Sequence, residues 1–180
     1  MVARAVPEEV LVHPRHAVAL DQAISPDRLG TYLRAGGGDP GRARALYLWD
    51  RDVASAVLAD VAVVEVALRN ALNDVLVRMY GEPQQWHVRY DDLWRAGLAR
   101  AFPGGRTEAA ALEARFSRAW THQQVRTVQI LRNRAAHHEP LINGVPLPGQ
   151  RQSGRSRISV LQGHQACLLV LRMIDRDLGE

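Results

Sequence analysis

The sequence has no lysine. All 23 basic residues are arginine, set against 19 acidic ones. A GC-rich coding sequence accounts for that bias blandly, since it favours Arg and Ala over Lys. A single cysteine, Cys167, excludes a disulfide framework and a zinc ribbon built on paired cysteines. Phe occurs twice, and β-branched residues gather only into a few Val-rich stretches, which argues against a large sheet. No run of 18 apolar residues exists to span a bilayer. Glu8 and Glu9 interrupt any signal-peptide core near the start. What remains is a cytoplasmic helical protein with no membrane partner. Its 180 residues suit one domain able to bury about 70% of its unfolded surface without metals.

The charge that is present is unevenly placed. Residues 1–92 hold 10 Arg and 13 acids, net −3, and residues 93–180 hold 13 Arg and 6 acids, net +7. Within the second half, 115–157 contains 8 Arg and one acid, Glu139. Coding bias does not explain such clustering. A one-signed region concentrates anionic partners, RNA or DNA above all.

Helix signals dominate the rest. Residues 1–24 are weakly patterned, with a short extended piece at Val10 to Val12, and read as an N-terminal extension to a single domain over 25–180. Ser25-Pro26 starts a helix as N-cap and first turn, and Gly36-Gly37-Gly38 stops it. Asp39-Pro40 repeats the start. From there Leu46, Trp49, Val53, Val57, Val64, Leu68, Leu72, Val75 and Met79 keep a helical period to Gly81. Asp50 and Asp52 are possible caps, which predicts a break near 50–52.

Asp91-Asp92 open a short helix to about Phe102, stopped by Pro103-Gly104-Gly105. Thr107 caps the next, which continues towards residue 138 with a possible break near Thr121. Glu139-Pro140 ends it, because a residue before proline avoids the α region. Residues 141–157 read as a Gly/Pro/Arg/Ser-rich loop. A last helix is expected from about Ile158 to Leu178. The fold class is all-α.

The stretch Arg132-Asn133-Arg134-Ala135-Ala136-His137-His138-Glu139-Pro140 carries the chemistry. Asn133 and His137 share a helix face at i, i+4, as do Arg134 and His138. The long Arg132 side chain can swing towards His137. Imidazole titrates near neutrality and moves protons. Guanidinium stays charged and forks onto phosphate oxygens. Together they suit RNA cleavage without a metal.

The same stretch resembles the C-terminal signature of the bacterial Abi-like (abortive infection) proteins. These belong to the HEPN superfamily of helical ribonucleases, marked by Arg, four to six residues, then His. Two upstream segments are also similar: Leu46-Tyr47-Leu48-Trp49-Asp50, with Asp50 where the family has Asn, and Glu65-Val66-Ala67-Leu68-Arg69-Asn70. A third is Leu93-Trp94 with Ala101-Phe102-Pro103. Together the similarities span roughly 25–178.

The resemblance implies a HEPN-like helical bundle. It implies a homodimer whose motif helices meet at a composite site, and a metal-independent endoribonuclease acting on tRNA or other RNA. Such a protein is the toxin arm of phage defence, partnered by an antitoxin, and needs no cofactor. By matching position Arg132 and His137 would be catalytic, Asn133 supporting and His138 accessory. About a dozen residues, Gly81 to Asp92, fill a gap where the family carries a longer stretch, so by that resemblance the bundle reads as shortened by an internal deletion. That shortening motivates a second reading, a catalytically inactive RNA- or protein-binding module.

Other residues are weaker candidates. Glu65 and Arg69 form an i, i+4 pair, a surface salt bridge in the plain case. Alternatively Glu65, Arg69 and Asn70 support Arg132 or His137 from a neighbouring helix. Arg134, Arg151, Arg155 and Arg157 are candidate RNA-backbone contacts around the motif, without aromatics for base stacking. His164 with Cys167, and His13 with His16, are too sparse for zinc, so no metal is expected. No basic helix pair marks a DNA-binding helix-turn-helix.

Overall fold

The structure is a computed structural model, and residues 14–81, 93–94, 97–146 and 157–179 are described. Among them are six α-helices and a two-stranded antiparallel pair. The architecture is accordingly mostly helical.

Helix α1 (Pro14–Ala23) lies in the weakly patterned N-terminal segment. Asp21 ties it to the rest by accepting from Arg44 Nε at 2.9 Å and Nη2 at 2.6 Å. That hydrogen bond holds the Asp21 carboxyl below the usual carboxylate range. Val10 to Val12 lies outside the described residues.

Helix α2 (Pro26–Ala35) begins as its sequence predicts, with the Ser25 hydroxyl accepting from Arg28 N–H. Gly37 and Gly38 end the turn at φ 70° and 85°, a left-handed conformation favouring glycine.

Helix α3 (Pro40–Tyr80) runs unbroken for 41 residues, about 62 Å. The break expected at 50–52 is absent. Asp50 caps nothing here; it is fully buried inside the helix and bonds to another element. The buried stripe runs Ala43, Asp50, Ala54, Val57, Val61, Val64 and later Val75. Trp49, expected on that stripe, sits one residue out of phase and is 42% exposed.

The long helix expected over 107–138 is two helices, α4 (Gly105–Ala111) and α5 (Arg118–Ala136). The break falls at 112–117, not at Thr121, and Thr107 lies within α4. Two local features make it. Glu113 turns left-handed at φ 53°, and Phe116 packs 5.4 Å from the Trp94 ring and 6.4 Å from Trp120. Ser117 then starts α5 by accepting from Trp120 N–H at 3.2 Å.

Strands β1 (Val145–Pro146) and β2 (Arg157–Ile158) pair within the segment expected to be loop. Helix α6 (Val160–Ile174) opens on a reciprocal capping box between Ser159 and Gln162. It ends at Asp175, before a short 3₁₀ turn at Arg176–Gly179, so it is shorter at both ends than the pattern suggests.

Helix α3 is the spine. It packs against α2, α5 and α6, while α6 also packs against α4 and α5. One core cluster joins Val57, Val61 and Val64 of α3 to Leu131 of α5 and Val170 of α6, reaching Leu141 and Val145 beyond α5. A second joins Val75 and Met173 to Phe102, with Trp94, Phe116 and Trp120 around it. No helix among the described residues is long and apolar enough to cross a membrane.

Candidate active site

The motif occupies the C-terminal end of α5. The chain closes the helix through His137 N–H to the Asn133 carbonyl at 2.9 Å, His138 N–H to Ala135 at 3.1 Å and Glu139 N–H to Arg134 at 2.9 Å. His138 adopts φ 54°, a left-handed position that helices usually give to Gly or Asn. Pro140 forbids helix continuation, so the reversal is complete within three residues. His137 and His138 are both exposed.

A buried carboxylate holds the chain directly beyond this turn. Asp50 Oδ1 accepts from Leu141 N–H at 3.0 Å and Ile142 N–H at 2.9 Å. Its Oδ2 accepts from the Tyr32 hydroxyl at 2.8 Å and from Arg51 Nη2 at 2.6 Å. Tyr32 stacks edge-on against Tyr47 at 5.4 Å, and Arg51 lies 5.5 Å over the Tyr47 ring. Burial, reinforced by Asp50, pushes the Tyr32 phenol well above the usual tyrosine range. Helices α2 and α3 and the motif exit are thus tied to one side chain. Sequence reasoning, which makes Asp50 a cap and a departure from a family asparagine, misses this anchor. The available signal is a carboxylate on the buried phase of a helix, which demands donors.

The two arginines of the turn have different surroundings. Arg134 is 18% exposed; it pairs with Glu139 at 2.9 Å and donates to the Pro140 carbonyl at 3.1 Å. It fastens its own turn. Arg132 is 45% exposed, and its Nε lies 3.4 Å from Glu65 Oε1 on α3. Glu65 therefore meets Arg132, the neighbouring-helix arrangement raised from sequence. Arg69 and Asn70 are exposed and make no hydrogen bond or ion pair with the motif among the described residues. Asn133 is exposed on the helix face that leads to His137.

A shallow apolar groove of about 250 Å³ lies beside Glu65, between α3 and α5, floored by Val64, Val128 and Val170. Arg157 donates to the carbonyls of Asn143 at 2.6 Å and Gly144 at 2.9 Å, securing the 141–146 segment to β2. Arg151 and Arg155 lie outside the described residues.

Away from the motif, His164 Nδ1 sits 2.8 Å from Asp60 Oδ2, joining α6 to α3. Cys167 is buried, and burial together with the Asp60 charge raises its thiol to about 11. No group of three or more His, Cys, Asp or Glu suited to a metal occurs among the described residues.

The class defined by these features is a helical bundle presenting an exposed Arg–His turn on a buried anchor. Comparison with protein-family models, curated proteins and solved structures gives no match to the chain.

Proposed function

We propose that the chain is a metal-independent endoribonuclease of the HEPN type, an Abi-like toxin acting in phage defence. The observation that carries this reading is the turn itself. It places an exposed Arg132 and an exposed His137 five residues apart at the end of α5, where Asp50 fixes the departing chain.

The reaction follows from those groups. A neutral imidazole takes the proton of a ribose 2′-OH, and the oxygen attacks the adjacent phosphorus. The phosphorus–5′-oxygen bond breaks, and an acid gives that oxygen a proton. The products are a 2′,3′-cyclic phosphate and a 5′-OH. Arg132, oriented by Glu65, faces the charge that grows on the phosphate oxygens. Asn133, one turn before His137, supports the imidazole or a phosphate oxygen. His137 and His138 are adjacent and do not face each other along a helix end. The second proton-transfer group therefore comes from a second copy, in a homodimer, with His138 accessory. RNA, tRNA included, is the substrate, and an antitoxin protein restrains it. No cofactor takes part.

A second reading is an inactive RNA- or protein-binding module. It is favoured by the His137 ring, which has no orienting side-chain partner among the described residues.

Purified protein incubated with total RNA in EDTA distinguishes the two. The first reading expects cleavage with cyclic-phosphate ends, lowered about 10²–10⁴-fold by His137→Ala and strongly by Arg132→Ala. Cleavage surviving both substitutions would reject the site, and a divalent-metal requirement would reject the mechanism. The module instead expects RNA binding without product, and equal growth of hosts expressing wild type or His137→Ala.

A further inference from the structure

Helix α5 carries four arginines and His122 across 19 residues, and no Asp or Glu. Its outward face repeats His122, Arg126, Gln129, Asn133 and, at the exit turn, His137, at intervals of four, three, four and four. All five are exposed. That spacing makes one gently winding ridge, about 22 Å long, with Arg132 on the flank of α5 that meets Glu65. Arg126 makes no hydrogen bond or ion pair among the described residues. The exposed side of α3 is different: Asp52, Glu65, Arg69, Asp74 and Arg78 mix both signs there.

We infer that this ridge is the binding track for single-stranded RNA, leading its backbone along α5 into the His137 turn. The inference rests on the endoribonuclease reading and extends it to residues outside the motif. Neighbouring side chains on the ridge are about one helical turn apart, 5.4 Å, comparable to the separation of adjacent phosphates along a strand. Arg126 and Arg132 meet phosphates. Gln129 and Asn133 each have a donor and an acceptor, matching the 2′-OH that distinguishes RNA from DNA. The ridge has no Phe, Tyr or Trp, so it grips backbone and tolerates sequence. An acidic protein would be attracted by the same charge. The amides interleaved with cations, and the continuity with a turn suited to 2′-OH chemistry, favour RNA.

The test is anisotropy of a labelled oligouridylate of about 12 nucleotides, titrated with the non-cleaving His137→Ala protein across salt concentrations. Adding Arg126→Glu should weaken binding at least about tenfold and flatten the salt slope by about 0.7 for each phosphate no longer neutralised. Arg126→Ala should have the same sign at smaller size. Arg42→Glu, off the ridge and about 12 Å along α3 from Asp50, is the matched charge control and should change affinity less than about twofold.

Equal losses from Arg126→Glu and Arg42→Glu would reduce the effect to net charge and overturn the track. So would unchanged binding by Arg126→Glu with native circular dichroism, or competition by polyglutamate as strong as by RNA. The endoribonuclease reading is judged separately, by cleavage with the His137 codon restored. Cleavage with no ridge effect sinks the track alone. Ridge-dependent binding without any cleavage supports the track and sinks the enzyme.

Discussion

The Asp50 anchor and the Arg132–His137 turn meet at the same stretch of backbone and differ in almost every physical respect. Asp50 is fully buried, and its two oxygens accept from two backbone N–H groups, a phenol and a guanidinium. Arg132 and His137 are exposed, and Arg132 has one carboxylate at 3.4 Å. The buried Asp50 carboxylate has both oxygens occupied by donors from within the protein. The exposed region keeps donors that a ligand can use. The difference teaches that the exposed side chains can stay open to a ligand, because Arg134 and Glu139 brace the turn and Asp50 fixes the chain immediately after it. Chemistry-bearing side chains perform best when supporting contacts set their geometry.

The sharpest way to break this comparison is to remove the anchor. Asp50→Ala strands the N–H groups of Leu141 and Ile142 and leaves a mostly buried Arg51 without its carboxylate. It should cost about 3–5 kcal/mol of folding stability. Asp50→Asn keeps an acceptor oxygen for the two N–H groups but loses the charge, and should cost about 1–3 kcal/mol. His137→Ala, by contrast, should stay within about 0.5 kcal/mol of wild type, as exposed substitutions do. Urea denaturation of the three variants measures all of this. An Asp50→Ala cost no larger than that of His137→Ala would mean that the anchor does not hold the turn.

The two regions also differ in how legible they are from sequence. The turn is readable because residue types within nine consecutive positions carry its chemistry. The starts of α2 and α3 are equally local, at Ser25-Pro26 and Asp39-Pro40. Asp50 is not readable, because half of its partners are backbone N–H groups 91 and 92 residues away. Every non-proline residue has such a group, so nothing in the identities of Leu141 and Ile142 announces the bond. The same gap explains the false break predicted in α3, since an aspartate satisfied from afar looks like a cap when only its neighbours are seen. The break at 112–117 escapes for a related reason. It contains neither Gly nor Pro, and it follows from where Phe116 packs between Trp94 and Trp120. The pairing of Glu65 with Arg132 is one of two options at the level of sequence, because periodicity does not say which neighbour a charge meets.

A smaller effect sharpens the picture of the buried side. The Tyr32 phenol is raised above its usual range by burial and by its bond to Asp50. A raised native value stabilises the protonated form. That contribution is complete below the ordinary tyrosine value near 10 and is lost as pH rises through the native value. Tyr32→Phe should therefore cost about 1.5–3 kcal/mol at neutral pH, and its deficit against wild type should shrink above about pH 10. The absence of lysine makes this window unusually clean, because no side-chain ammonium titrates there. Cys167, raised to about 11, also titrates in this range and is common to both proteins. A deficit that stays constant from about pH 7 to pH 11 would remove the phenol from the anchor.

The smallest expected effect falls on the exposed side and asks what the turn's own strain is for. His138 holds φ 54°, which costs a non-glycine residue about 1 kcal/mol relative to Gly. Its side chain is exposed, and no hydrogen bond to the ring compensates among the described residues. His138→Gly should therefore raise stability by about 0.5–1 kcal/mol, opposite in sign to every change at the anchor. If the imidazole at 138 assists cleavage, the same variant loses activity as it gains stability, and the strain has a functional counterpart. His138→Asn separates backbone from side chain, because Asn tolerates the left-handed turn but transfers no protons. Cleavage lost in both variants assigns the role to the ring. Cleavage kept in both leaves His137 as the turn's proton-transfer group and makes residue 138 a hinge that glycine would serve better.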